Sequence, residues 1–130
     1  MKFTLSLNQG YLELKISGNY DSKKIVPLIN ELISHEKWAE GSMVLIDETE
    51  LNLEQLDYDG VDDIVSTFEK HKEKFKATKF AIFVGRDIEY GINRMWESLS
   101  NEKTDINANV FRARDKAIEW LLKNQLLMGK

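Results

Sequence analysis

Cysteine is absent from this chain of 130 residues, which excludes a disulfide framework, a thiolate metal site and a cysteine nucleophile. Proline occurs once and histidine twice, so neither a proline-rich linker nor a histidine cluster is available. No run of about eighteen apolar residues occurs, which excludes an ordinary membrane-spanning helix. The start does not read as a signal peptide, and the expectation is a soluble, cytoplasmic protein without membrane insertion. A formal net charge of −4 is too small to mark a polyanion binder or an acidic solvating chain.

What is present argues for a folded domain. Hydrophobic residues make up 42% of the chain, with three Trp, four Tyr and six Phe. That content suits a packed core rather than disorder. The length suits one domain over residues 1–130, burying roughly two-thirds of the surface that the unfolded chain exposes.

The charge is unevenly placed. Between Trp38 and Glu69 lie ten acids and no Lys or Arg, and the remaining sequence holds 12 acids against 18 bases.

Apolar residues alternate over Phe3–Leu7 and Tyr11–Ser17, with Asn8-Gln9-Gly10 between them, which predicts a hairpin with one buried face. Asp21 or Ser22 opens a helix reaching about Trp38, with Ile25, Leu28, Ile29, Leu32 and Ile33 on its stripe. Pro27 moves its regular part toward Lys24. Met43–Ile46 and Phe80–Val84 are continuous apolar runs, the pattern of strands covered on both faces. Between them, the acidic stretch Asp47–Asp59 leads into a helix with the stripe Val61, Ile64, Val65, Phe68 and Phe75. Asp87 is expected to cap a third helix that faces inward through Ile88, Ile92, Met95, Trp96 and Leu99. A polar loop, Ser100–Asn107, then precedes a strand at Ala108–Phe111. A last helix runs from about Ala113 to Lys123, with Ala117, Ile118, Leu121 and Leu122 inward. The order ββαβαβαβα predicts an α/β fold with a mixed, mostly parallel sheet of about five strands packed with four helices.

Chemistry is sparse. His35 lies beside Glu36 on the first helix and His71 borders the second helix's stripe, so both read as structural. No Gly-x-Ser-x-Gly elbow occurs, and neither a phosphate loop nor a dinucleotide fingerprint follows any strand. No catalytic residue is assigned and the chain is not expected to be an enzyme. As a calcium loop with Gly60 sixth, the acidic stretch would place Gln55 first and Ser66 twelfth, where carboxylates are required. Nothing in Asp47, Asp57 and Asp59 fixes an octahedral site, so no metal or cofactor is assigned. The lysines from Lys70 to Lys76, opposite Asp59, Asp62 and Asp63, complement a helix dipole. They therefore do not indicate nucleic acid.

Two stretches carry a resemblance. Phe80 to Glu97, FAIFVGRDIEYGINRMWE, and Val110-Phe111 followed by Asp115 to Leu121 resemble the strand-and-helix signatures of small SpoIIAA-like proteins of the STAS superfamily. These proteins are distantly related in architecture to CRAL-TRIO domains. Better-known relatives, the bacterial anti-sigma-factor antagonists, carry Asp-Ser-Ser-Gly at the second helix, where a kinase phosphorylates serine. Here the similar position reads Asp57-Tyr58-Asp59-Gly60, with no serine. The resemblance thus implies a non-enzymatic regulatory or protein-interaction module without that switch.

Its candidate partner surface is an acidic rim of Asp47, Glu48, Asp57, Tyr58, Asp59 and Gly60, facing an unknown protein with a basic surface. The alternative, implied by the lipid-enclosing architecture, is a binder of a small apolar or lipid-like ligand between sheet and helices. Arg86, Tyr90, Arg94, Met95 and Trp96 are its candidate ligand or anion residues. The tail residues Leu126, Leu127 and Met128 suggest packing on the same domain or on a second copy, as a homodimer.

Overall fold

Alternation builds the first strands. In the computed structural model, which describes residues 1–128 and side chains as far as Lys123, β1 (Lys2–Asn8) and β2 (Tyr11–Asn19) pair antiparallel from Lys2–Ser17 to Asn8–Tyr11. Gly10 supplies the positive φ of +88° that the two-residue turn requires. Leu12, Leu14 and Ile16 are buried on one face of β2.

β2 continues past Ser17, and its added length recruits more of the chain. β3 (Met43–Asn52) lies parallel to it from Leu12–Val44 to Asn19–Asn52. The first half of the acidic stretch, expected as loop, is therefore strand as far as Asn52. An edge of β2 was free to satisfy its backbone, a consequence of pairing that local composition does not report.

The helices follow the apolar stripes with shifted ends. Asp21 caps a 3-10 turn, Ser22–Lys24, and accepts from Lys23 N at 3.0 Å. Helix α1 (Ile25–Ile33) then begins where Pro27 falls in its first turn, whose N–H groups lack intrahelical acceptors. It stops before His35, so Trp38 lies outside the helix, contrary to expectation, and packs edge-on to Phe75 at 5.5 Å. Helix α2 (Tyr58–Lys70) also ends earlier than expected, and Lys72–Phe75 forms a separate 3-10 turn that buries Phe75. After β4 (Lys79–Phe83), helix α3 (Asp87–Lys103) extends into the expected polar loop. β5 (Asn107–Phe111) and α4 (Arg114–Met128) complete the chain.

The strand order is β1-β2-β3-β4-β5, with β2 to β5 parallel. Right-handed crossovers that each step one strand in the same direction place α1, α2 and α3 on one face. Alternate residues of β3 and β4 separate accordingly. Val44, Ile46, Phe80 and Ile82 enter the large core under α1–α3, whereas Leu45 and Ala81 meet Ala117 and Leu121 of α4 on the opposite face. Phe68, Phe75, Phe80 and Trp96 form the large core's aromatic centre, with ring centroids 5.1 to 6.0 Å apart.

Among the described residues, no helix is long and apolar enough to cross a membrane. The side chains of Leu126, Leu127 and Met128, on which the homodimer expectation rests, lie outside the described ones.

Candidate functional site

The strand period places a carboxyl group in the apolar layer. Val44 and Ile46 of β3 face α1–α3, and Glu48 is the next residue of that parity. A β-bulge follows at once: Lys15 pairs with Asp47 and Ser17 with Glu50, so Ile16 stands opposite both Glu48 and Thr49. The extra residue reverses the parity, and Leu51 and Leu53 are again buried in the same core. Thr49 N and its hydroxyl donate to Asp47 Oδ1 at 3.0 and 2.7 Å.

Helix α3 supplies the polar partners. Its buried residues are Glu89, Asn93, Trp96 and Ser100, a stripe of helical spacing that is mostly polar. Asn93 Nδ2 donates to Glu48 Oε1 at 2.8 Å and to the Glu89 carbonyl at 3.0 Å. The Glu89 carboxylate accepts from Arg86 Nε and Nη2 at 2.7 and 2.8 Å, and from Leu53 N at 3.0 Å. Arg86 also reaches Glu54 at 3.3 Å.

The two glutamates consequently titrate in opposite directions. Burial pushes the Glu48 carboxyl up to about 7; the hydrogen bond from Asn93 opposes this, while Glu89 and Asp47 reinforce it. For Glu89, burial also acts upward, but the Arg86 hydrogen bonds and charge, with the Leu53 N–H, hold it below the usual carboxylate value. Glu89 is thus a satisfied structural ion, whereas Glu48 is a half-buried acid whose only hydrogen bond from the described residues comes from Asn93.

Glu48 and Asn93 form the polar end of a cavity of about 80 Å³ between the sheet and α1–α3. Its walls are otherwise almost wholly apolar and include Leu14, Leu28, Val61, Phe80, Ile82 and Trp96. Tyr20, Ile25, Leu56 and Ile64 are lining residues that retain partial exposure, toward the carboxyl ends of β2 and β3. Ligands of open α/β sheets characteristically enter at that end.

The acidic rim is not one surface. Asp47 has the parity of Leu45 and points to the α4 side, where Arg114 approaches it at 3.9 Å and also pairs with Glu13. Glu48 points to the opposite side, into the core. Asp57 caps α2 and accepts from Gly60 N at 2.9 Å. Tyr58 and Asp59 are exposed, so only the Asp57–Gly60 part of the expected rim is contiguous. A Cβ added at Gly60 would meet Leu56 Cδ1 at 2.5 Å, so this glycine permits a cavity-lining side chain to lie against the first turn of α2.

The second expected group is likewise divided. Trp96 lines the cavity, and Tyr90 and Met95 pack against the core as partly buried residues. Arg86 is occupied by Glu89 and Glu54, and Arg94 lies 3.6 Å from Glu97 on its own helix. Asp87, expected as the cap of α3, is instead its first residue; its carboxylate pairs with Arg112, and Arg86 occupies the cap position, where its side chain accepts no bond from the first-turn N–H groups. Ile88, expected inward, is 47% exposed, because the anchored Glu89 turns the adjacent residue outward. Glu89 and Asn93 were not expected as site residues. Their spacing of four with a polar partner strand was the available signal, hidden by the Ile88, Ile92 and Met95 pattern. Among the described residues, no three His, Asp or Glu side chains gather in an arrangement suited to a metal ion.

No family model and no curated protein matches this chain. Among solved structures, it is similar to an uncharacterized DUF3478-family protein with a SpoIIAA-like fold from Shewanella loihica PV-4. The two are 23% identical, with 92% of each chain covered and a TM-score of 0.57. The fold is accordingly SpoIIAA-like.

Proposed function

We propose that this domain works by binding rather than by catalysis, and that the cavity between the sheet and α1–α3 receives a small apolar molecule. The observation that carries this reading is a space of about 80 Å³ left beside a single half-buried acid. Protein interiors are close-packed, and voids larger than a water molecule are few. A site that holds one water needs only about 10–15 Å³ by this measure, whereas an apolar cavity of about 150 Å³ admits benzene. The space therefore suits a molecule of a few non-hydrogen atoms and not a long acyl chain. The carboxylates support binding over acid–base catalysis: Glu89 is held by Arg86, and no second free acid stands against Glu48 in the lining.

Leu28, on the α1 wall, provides the test. Small neutral apolar probes are expected to raise the melting temperature of the wild-type chain and to leave Leu28→Phe, with the cavity partly filled, unaffected. Equal shifts in both proteins, or no shift in either, would remove the cavity from consideration.

A second reading rests on the first turn of α2. Tyr58 is 55% exposed between Asp57 and Asp59, where the resembled antagonists keep their phosphorylated serine. An exposed aromatic within a negative field is suited to a basic partner surface. Tyr58→Ala combined with Asp59→Lys is expected to abolish capture of such a partner and leave the unfolding midpoint in place. Undiminished capture by that variant counts against this reading.

A further inference from the structure

We infer that the cavity is selective for a compact apolar amine in its ammonium form, with Glu48 as its counter-ion; this rests on the reading that the cavity is a ligand site. The first argument concerns hydrogen-bonding capacity. Asn93 Nδ2 is already committed to Glu48 Oε1 and the Glu89 carbonyl. Among the described residues no donor reaches Glu48 Oε2 or Asn93 Oδ1, so the free polar atoms at this end are acceptors. Neither oxygen is fully enclosed, so both are open to an occupant of the cavity. An ammonium group brings three donors and no acceptor, which complements the pair.

The second argument concerns charge. No Lys, Arg or His side chain lines the cavity. Glu89 and Asp47 add negative potential to Glu48, and Arg86, on the same helix as Asn93, is spent on Glu89 and Glu54. The lining phenol of Tyr20 is kept neutral by burial and by the charges of Asp63 and Asp21. The remaining ionisable group on a lining residue is the α-amino group of Met1, which lies beside Gly18 and is not among the charges that act on Glu48. A carboxylate or phosphate ligand would meet repulsion at Glu48, whereas a cation would neutralise a half-buried carboxylate that no cationic side chain pairs with among the described residues. The third argument concerns size. At about half the volume that admits benzene, the space takes roughly three to five non-hydrogen atoms.

Propylamine, propan-1-ol and propionate share one short chain and differ in head-group charge. Each would be titrated into the full chain at about pH 8, following the Asn93 side-chain amide and Trp96 indole resonances by NMR. Propylamine is expected to bind roughly tenfold more tightly than propan-1-ol, with propionate weakest. In Glu48→Gln, which keeps an acceptor for Asn93 and removes the charge, propylamine should fall to the affinity of propan-1-ol. If that variant fails to fold, the wild-type ranking of the three probes still decides. Propan-1-ol or propionate binding as well as propylamine would overturn the amine assignment and leave the ligand cavity standing. Unchanged propylamine affinity in Glu48→Gln would overturn it equally. If no probe moves either resonance, both the amine assignment and the cavity reading fail.

Discussion

The most direct physical consequence of the site is a stability that declines as the pH rises, traceable to one side chain. Glu48 is the perturbation, and Glu48→Gln is the probe that removes its ionisation with little change of shape. In the folded protein the carboxyl titrates at about 7 against an ordinary value of 4.5. At about 1.4 kcal/mol per pH unit, that difference amounts to about 3 kcal/mol against ionisation in the native state. Partial exposure of the residue to solvent reduces the expected effect to about 2–3 kcal/mol. Because the native state holds this proton more tightly than the unfolded chain, the contribution is fully present below about pH 4.5. It drains away as the pH rises and is gone above about pH 7. Glu89 does not mimic the effect, since its carboxyl is held below the ordinary value and changes charge only in more acidic solution. Urea unfolding followed by tryptophan fluorescence at about pH 5, 6, 7 and 8 would measure it in both proteins. The quantity to plot is the stability of Glu48→Gln minus that of wild type, in which all other titrations cancel. It should grow across this range and level off near pH 8. A difference independent of pH would refute the buried-acid account, and so would a variant less stable than wild type at pH 8.

Three other perturbations test the scaffold. Asp57→Ala should lower stability by about 1 kcal/mol through loss of the α2 cap, while Asp59→Ala, which bonds nothing in the first turn, should change it by a few tenths; equal losses in chemical unfolding would contradict the assignment of the cap. Arg86→Ala leaves the Glu89 carboxylate with only the Leu53 N–H, so adding Glu89→Gln should raise the urea midpoint above that of the single variant, and a further drop would show that the pair is not what holds Glu89. Phe80→Ala, at the centre of the aromatic cluster, should cost about 3–5 kcal/mol by equilibrium unfolding; a loss below about 1 kcal/mol would mean that this core repacks freely.

The architecture was readable because two periods recur along the chain. Alternation at Leu12, Leu14 and Ile16, and helical spacing at Leu28, Ile29 and Leu32, follow from burying one face, and both sets are buried. The errors fell where tertiary partners decide. Asp47 to Asn52 carries the composition of a loop and is strand because β2 offers an edge to it. Trp38 continues a helical pattern but is drawn out of α1 to Phe75 and the Lys74 carbonyl. The site was less readable for a related reason. Glu48 is one of several acids in a row, and sequence gives them equal weight, whereas the pleat sends Asp47 toward Arg114 and Glu48 into the core. Trp96 is legible as a candidate because a large aromatic on a helical stripe is conspicuous. Asn93 and Glu89 are masked in the sequence by Ile88 and Ile92, which offer a stripe one residue out of phase, although Ile88 is exposed.

The bulge at Glu48 and Thr49 explains how one strand carries both a core and a site. With unbroken alternation, the residues following Ile46 on the core face would be Glu48, Glu50 and Asn52, a polar half-strand beneath α2. Leu51 and Leu53 would then face the α4 side beyond Asp47. The additional residue restricts the intrusion to Glu48 alone and returns Leu51 and Leu53 to the core, and the N–H of Leu53 holds Glu89. Glu50 is turned out to Lys15, where solvent screens it. A buried acid beside an apolar cavity is therefore not an isolated oddity of one side chain. It depends on the bulge in β3, on the Arg86–Glu89 pair that fixes the rotation of α3, and on Asn93, which that rotation brings to Glu48. The acid itself is not required by stability, since an aliphatic residue at position 48 would pack the same layer without a titrating group. That acid beside the cavity is the reason for proposing that something binds there.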